Sequence, residues 1–572
     1  METATTMGAG AALRERAPQA AASADRGASP IEARDAAREA PYADALRAHA
    51  AREPLMLMVP AHAAGPEGLS AGLAEFAGEQ AVRLDIPQLI DGIDSGEGSP
   101  LDRALALAAE AWCARRSWFL VNGSSQGNRM ATVAVALRGA GGTVLAQRSA
   151  HSSLTDGLIV SGLTPRWVLP SVDAERGINH GVTAGSLRLA LAAAAEADGA
   201  APAAVYVISP SYFGAVADVP ALAEVAHEHG APLIVDAAWG AHFGFHEGLP
   251  AFPTSEGADV VVTSTHKMGG SLGQSAMIHL AEGPFADELE PLLERAFRLT
   301  QSTSASSLLL GSLDVARRSL VAGGPGIGAS IAAAGRLRAW VRAQPELELV
   351  SDGFAAVPDI SGADPLRVSI DVRGTGLTGY ELRSRLAEEF AVYTEIATLG
   401  AVVAFLGPGK PLPLERLTTA VRAVIDSVTE RREAVVAESL AESQAESQAE
   451  SQTESAGEAG ERGPRSPAPA ARAGTLARLA LPAPGETRLS PREAFFAASE
   501  LVPAAESVGR ISADALAAYP PGIPNILPGE TITAEAVAYL QAVAASPIGF
   551  VRGAHDAGVS RMRVLRDPEP GS

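Results

Sequence analysis

The sequence predicts an α/β protein: a large domain on a mostly parallel sheet, a smaller α+β domain, and a C-terminal α+β domain. Two observations carry this reading. Short apolar runs alternate with helical patterns: "SWFLVNG" (117–123), "GTVLAQR" (142–148), "AAVYVIS" (203–209), "APLIVDAA" (231–238) and "ADVVVTS" (258–264), with "QGNRMATVAVALRG" and "VPALAEVAHEHG" among the intervening stretches. Strands separated by helices need crossover connections, which set neighbouring strands parallel. The second observation is a break in composition at 437–474, where Glu438, Glu442, Glu446, Glu450 and Glu454 recur every four residues among Ser, Gln, Gly and Pro. Like charges at that spacing repel on a helix, and such a segment buries little apolar surface, so it reads as a disordered acidic linker.

The elements then fall in order. Residues 1–40 read as a disordered tail, 41–320 as the large domain, and 321–436 as the small one, where "PLRVSIDVRGTGLTGYELRSRLAEEFAVYTEI" runs strand, turn, helix. Residues 475–572 follow the linker as the C-terminal domain. Hydrophobic residues make up 47% of the 572, enough for a large core. No apolar run reaches the roughly 18 residues that span a bilayer. A net charge of −21 argues against nucleic acid or an anionic membrane as partner. The single cysteine, Cys113, excludes intrachain disulfides and cysteine metal clusters, and its helical setting suggests a core position. Together these features suggest a cytoplasmic protein.

Ligands of open parallel sheets bind beyond the carboxyl ends of the strands, and four features fall there. "NGSSQGN" (122–128) turns a strand into a helix, with Ser124 and Ser125 beside the first free amides, where an anion can sit. His151 follows the second strand. Asp236 closes the run "LIVD", a place where a carboxylate is costly without a cationic partner. Lys267 follows "VVVTSTH", and it and Lys410 are the only lysines in a chain that otherwise writes its cations as arginine. Arginine stays protonated, whereas lysine can supply an amine nucleophile. An anion-binding helix start, a buried aspartate and a lone lysine share one economical explanation, pyridoxal 5′-phosphate. Lysine would take the aldehyde, aspartate the ring nitrogen, and the helix start the phosphate. No metal-ligand spacing is present.

At these residues the sequence resembles the ornithine/lysine/arginine decarboxylases, a fold-type-I pyridoxal-phosphate family. "TSTHKMGGSLGQSAMIHL", "FLVNGSSQGN", "VLAQRSAHSSL", "SPSYFG", "VDAAWGAHF", "QSTSASSLLLGSLDVAR", "GLTGYELRSRLAEEF", "YPPGIPNILPGE" and "RGAHD" follow in the family's order. The compact form without an extra N-terminal domain is implied. The resemblance makes Lys267 the Schiff-base lysine and Asp236 the pyridinium partner, and stacks His151 on the ring. It sets Ser125, Gln126, Ser264 and His266 around the phosphate, with Ser124, Ala238 and Trp239 completing the cofactor site. His151 and His266 join Lys267 and Asp236 as candidate catalytic groups. Thr303 would reach a neighbouring subunit's phosphate, implying a homodimer or an assembly of dimers, and Glu530 would lie on the substrate side. Three segments depart from the family's pattern: "PAHAAG" (60–65), "VRLDIPQLIDGID" (82–94) and "TSASS" (303–307). The implied activity is decarboxylation of a basic amino acid, with Lys267 or a nearby histidine returning the proton at Cα. The alternatives are transamination, aldol-type cleavage, or a protein that binds the cofactor without turnover.

Overall fold

The computed structural model describes residues 37–453 and 481–566, apart from 89, 91, 140, 141, 174, 175, 520 and 521. The expected N-terminal tail and the linker beyond residue 453 lie outside the described residues, save 37–40.

The large domain holds a seven-stranded sheet: β1 (Arg116–Leu120), β2 (Thr143–Gln147), β3 (Thr164–Val168), β4 (Val205–Ile208), β5 (Leu233–Asp236), β6 (Val260–Thr263) and β7 (Ala276–Leu280). Their order across the sheet is β1-β7-β6-β5-β4-β2-β3. β2 to β6 run parallel, and β7 is antiparallel to both its neighbours, pairing Trp118 with Ile278 and Ile278 with Val262. Every residue of β2, β4, β5, β6 and β7 is buried. That burial explains the unbroken apolar runs, because helices cover both faces of such a sheet. β3 and β7 complete the sheet in addition to the five strands read from sequence.

Helix α1 (Pro41–Ala50) packs against α2 (Pro100–Ala111), which precedes β1. α2 buries Ala104, Ala108 and Ala109. Cys113 lies just beyond it, exposed and at φ +50°, so the core position expected for it is not found. The helix has ended, and the apolar face it would have continued is filled by Trp112. α3 (Gly123–Leu137) follows β1 and α4 (Ser152–Ser161) follows β2, and the two helices pack against each other. Gly127 lets α3 approach the sheet: a Cβ there would stand 2.6 Å from Val262 Cγ1 and 3.3 Å from Leu120 Cδ1. α5 (Thr265–Met268) is the short turn after β6.

The small domain carries a four-stranded antiparallel sheet, β8 (Glu348–Leu349), β9 (Arg367–Asp371), β10 (Ile396–Ala397) and β11 (Ala401–Phe405), in the order β8-β9-β11-β10. Helix α6 (Leu414–Thr453) packs by Ala420, Val421, Val424 and Ile425, then runs on through residues 437–453, where the charge repeat suggested a linker. Nucleation is the costly step of a helix. Once the packed part is formed, like-charge pairs costing about 0.2–0.5 kcal/mol each do not halt it.

The C-terminal region pairs β12 (Ser499–Pro503) with β16 (Arg561–Leu565) and sets β13 (Leu516–Tyr519) between β14 (Ile523–Ile526) and β15 (Phe550–Arg552). One hydrophobic cluster joins Ile370 and Val403 of the small domain to Leu516 and Val551, and to Trp239 and Met268. The three regions therefore meet at the ends of β5 and β6.

Candidate active site

The site is built from strand ends. β1 hands the chain to α3 through Gly123 at φ +68°, a left-handed turn that glycine adopts without strain. The first-turn amides of α3 have no acceptor within their own helix. Ser264 Oγ, at the end of β6, lies 2.6 Å from Ser124 Oγ, so two strand ends place hydroxyls together at the positive end of α3.

Asp236 ends β5 with only 4% of its surface exposed. Its Oδ1 accepts from the Ala238 amide at 3.0 Å, and its Oδ2 from Asn128 Nδ2 at 3.0 Å and the Tyr206 hydroxyl at 2.9 Å. Both carboxyl oxygens are thereby engaged. Burial, with the neighbouring Asp236 adding to it, drives the Tyr206 hydroxyl far above its ordinary pKa, so it serves as a donor.

Lys267, in α5, sets Nζ 4.1 Å from the centre of the Trp239 ring. Its pKa is lowered to about 8, because desolvation disfavours the ammonium and Arg367 adds repulsion, against the attraction of Asp236 and Glu395. Arg367 is fully buried, with its guanidinium carbon 4.3 Å from the same indole ring. Lysine beside a second cation in a desolvated setting is an activated amine nucleophile.

His151 is the N-cap of α4: its Nδ1 accepts from the Ser153 amide at 3.2 Å. Burial, and the charges of Lys267 and Arg552, lower its pKa to about 3, so the imidazole is neutral. The C-terminal region presses on this corner. The Gly522 carbonyl accepts from the Ser152 amide at 3.3 Å, and Arg552 Nη1 donates to Ser152 Oγ at 2.7 Å. A Cβ at Gly522 would stand 3.3 Å from His151 Cδ2.

One cavity brings together Ser124, His151, Asp236, Ala238, Trp239 and Lys267, with Ile208 and Tyr212. The other expected residues lie around it. Ser125 is half-buried in the first turn of α3. The Gln126 side chain is turned away from an anion role: its Nε2 donates to Gln301 at 2.7 Å and its Oε1 accepts from the Asn122 amide, since a buried amide must be paired. His266 Nδ1 donates to the Ser275 carbonyl at 2.7 Å. Thr303 is exposed, and borders a separate hollow with Gln88 and Phe119. Glu530 is buried against Arg148, with two hydrogen bonds at 2.9 and 2.8 Å, and is committed there within its own chain. No cluster of three or more His, Cys, Asp or Glu able to hold a metal occurs among the described residues.

Asn128, Tyr206 and Arg367 were not picked out by sequence reasoning. Asn128 stood inside the quoted "NGSSQGN", and Tyr206 is the one polar residue of "VYVI", a strand buried throughout. Arg367 comes from the small domain, and no local pattern marks it.

These groups fit pyridoxal phosphate: an amine poised near neutrality, a buried and hydrogen-bonded carboxyl group, hydroxyls at a helix start, and flat walls from His151 and Trp239. The Trp239 indole N–H is buried and has no acceptor among the described residues. Comparison with known proteins agrees. Residues 40–351 match the Orn/Lys/Arg decarboxylase major domain and residues 478–550 the C-terminal domain of the same family. The chain is 31% identical over 541 residues to the arginine decarboxylase of Bacillus subtilis, covering 92% of this chain and 98% of that protein. It is 30% identical to that of Halalkalibacterium halodurans, with coverages of 93% and 98%. The solved lysine decarboxylase A of Pseudomonas aeruginosa superimposes with a TM-score of 0.69 at 21% identity, over 93% of this chain and 81% of that one. The chain belongs to the Orn/Lys/Arg decarboxylase family. It is a pyridoxal-phosphate-dependent decarboxylase of basic amino acids, as the sequence resemblance implied.

Proposed function

We propose that the substrate is arginine, converted to agmatine and carbon dioxide. The observation that carries this reading is the end-to-end match to two proteins named arginine decarboxylase, each covered over 98% of its length. In the same proposal Lys267 holds the cofactor aldehyde and Asp236 the ring nitrogen. Ser125, with Ser124, Ser264 and the first-turn amides of α3, holds the phosphate, and His151 and Trp239 wall the ring. When bound, the cofactor accepts the electron pair left at Cα as the carboxylate departs. The chain's own groups do the rest. Asp236, its oxygens fixed by the Ala238 amide, Asn128 and Tyr206, stands at the ring nitrogen. Lys267, with a pKa near 8, gives up or takes a proton close to neutral pH and suits the return of the proton at Cα. Burial of the cavity walls keeps water away from that carbon.

The proposal includes a homodimer. Leu55, Leu57, Val59, Leu69 and Phe76 are 71% or more exposed within a short stretch of chain, as an apolar surface awaiting a partner would be. A second copy would also bring Thr303 to a neighbouring phosphate. A single cysteine with no disulfide suits the cytoplasm, and no helix among the described residues is long and apolar enough to cross a membrane. The test supplies purified holoenzyme with arginine, lysine and ornithine separately and identifies the amine by mass spectrometry. Agmatine as the main product supports the assignment, and faster formation of cadaverine or putrescine overturns it.

A further inference from the structure

The two histidines beside Lys267 are held in opposite tautomers. A backbone N–H can only donate, so the Ser153 amide, 3.2 Å from His151 Nδ1, makes that nitrogen an acceptor. The proton of the neutral ring then sits on Nε2. A backbone carbonyl can only accept, so Ser275 O, 2.7 Å from His266 Nδ1, keeps the proton of His266 on Nδ1.

His151 is further tied to the cofactor-side carboxylate. Ser153 Oγ lies 2.9 Å from His151 Nδ1 and accepts from Asn128 Nδ2 at 2.8 Å. The same Nδ2 donates its second hydrogen to Asp236 Oδ2 at 3.0 Å. Asn128 Oδ1 lies 2.9 Å from the Tyr206 hydroxyl. Turning the amide over would set its oxygen against the Asp236 carboxylate, so the orientation is fixed. With Ser153 Oγ already accepting from Asn128, its own hydrogen is left for His151. Asn128, Ser153 and Tyr206 are at most 1% exposed, so no bulk water competes.

Resting on the proposed cofactor site, we propose that Asn128 and Ser153 are positioning residues that hold His151 as its neutral Nε2–H tautomer. The histidine then offers the cavity one hydrogen-bond donor and does not act as the acid. A neutral imidazole N–H surrenders its proton only to give imidazolate, which is far too basic near neutral pH. His266, with its hydrogen on the Ser275 carbonyl, offers a lone pair instead. Neither histidine then competes with Lys267 for the return of the proton at Cα. The titratable groups facing His151 are Lys267 and Arg552, with Asp236 and Tyr212 across the cavity.

The test follows the visible absorbance of the bound cofactor against pH in holoenzyme, for wild type, Asn128→Ala, Ser153→Ala and the double variant Asn128→Ala/His151→Asn. Wild type should show no His151-dependent step between about pH 5 and 8. Each single variant should show a His151-dependent step at higher pH than wild type, still below histidine's ordinary range because burial and the charges of Lys267 and Arg552 persist. Adding His151→Asn should remove it. In both single variants kcat for arginine should fall about tenfold, with KM within about twofold. A His151-dependent step between about pH 5 and 8 in wild type, or single variants that lose activity without the upward shift, would overturn the proposal. Ser153→Ala removes a single hydroxyl and serves if Asn128→Ala does not fold. Borohydride reduction followed by mass mapping separates the two levels of inference. A tag on Lys267 with unchanged titrations sinks the relay alone, whereas a tag elsewhere sinks the cofactor-site reading beneath it.

Discussion

Lys267 feels two opposed charges whose removal should move it in opposite directions. Arg367 lowers its pKa and Glu395 raises it. Arg367→Met should therefore raise, and Glu395→Gln lower, the pH at which apoprotein captures pyridoxal phosphate half-maximally. The shift for Arg367→Met should be about one unit and that for the exposed Glu395 smaller, read from the capture rate against pH, and Lys267→Ala should capture no cofactor covalently. Lys267, Asp236 and His151 could be read from the sequence because each is a reactive type set where an apolar run ends. Gln126 could not be placed so readily. Its neighbourhood in "NGSSQGN" suggests an anion ligand, yet its partner Gln301 lies 175 residues away. Arg367 was hidden for the same reason: its approach to Trp239 exists only once the small domain has docked.

At the scale of elements, the interval between α3 and the sheet is set by one missing side chain. Gly127→Ala would drive a methyl to 2.6 Å from Val262, on the strand that leads into Lys267. Overpacking of this kind costs about 1–3 kcal/mol, and denaturant unfolding should show it. Cofactor affinity should fall with it, because α3 carries Ser124 and Ser125. The strand–helix alternation was legible because burial on both faces leaves continuous Val, Ile and Leu. β3, "TPRWV", escaped because it lies at the sheet edge, where Thr164 and Arg166 are exposed and break the apolar run. The extension of α6 past residue 437 escaped for a different reason. Local repulsion predicts a break, whereas cooperativity inherited from the packed turns carries the helix on.

At the scale of the whole molecule, the hydrophobic cluster that joins the regions is accompanied by a costly buried ion pair. Glu530 and Arg148 are 1% and 6% exposed, and neither has another counter-charge in contact among the described residues. Glu530→Gln should leave a buried guanidinium unpaired and destabilise the protein by about 3–5 kcal/mol, read from denaturant midpoints. Weakened docking of the C-terminal region should accompany it. The homodimer proposed above has a direct test: Leu57→Glu with Phe76→Glu should yield monomers in sedimentation velocity and abolish turnover as well. The Gly522 carbonyl and the Arg552 guanidinium, pressed against the corner that carries His151, also bear on how the protein is made. A nascent chain exposes Lys267 and Asp236 long before residue 552 leaves the ribosome, and until then the histidine corner lacks its cover. Translation thus withholds a finished catalyst until residue 552 has emerged, so a chain truncated before Gly522 should accumulate as an inactive polypeptide.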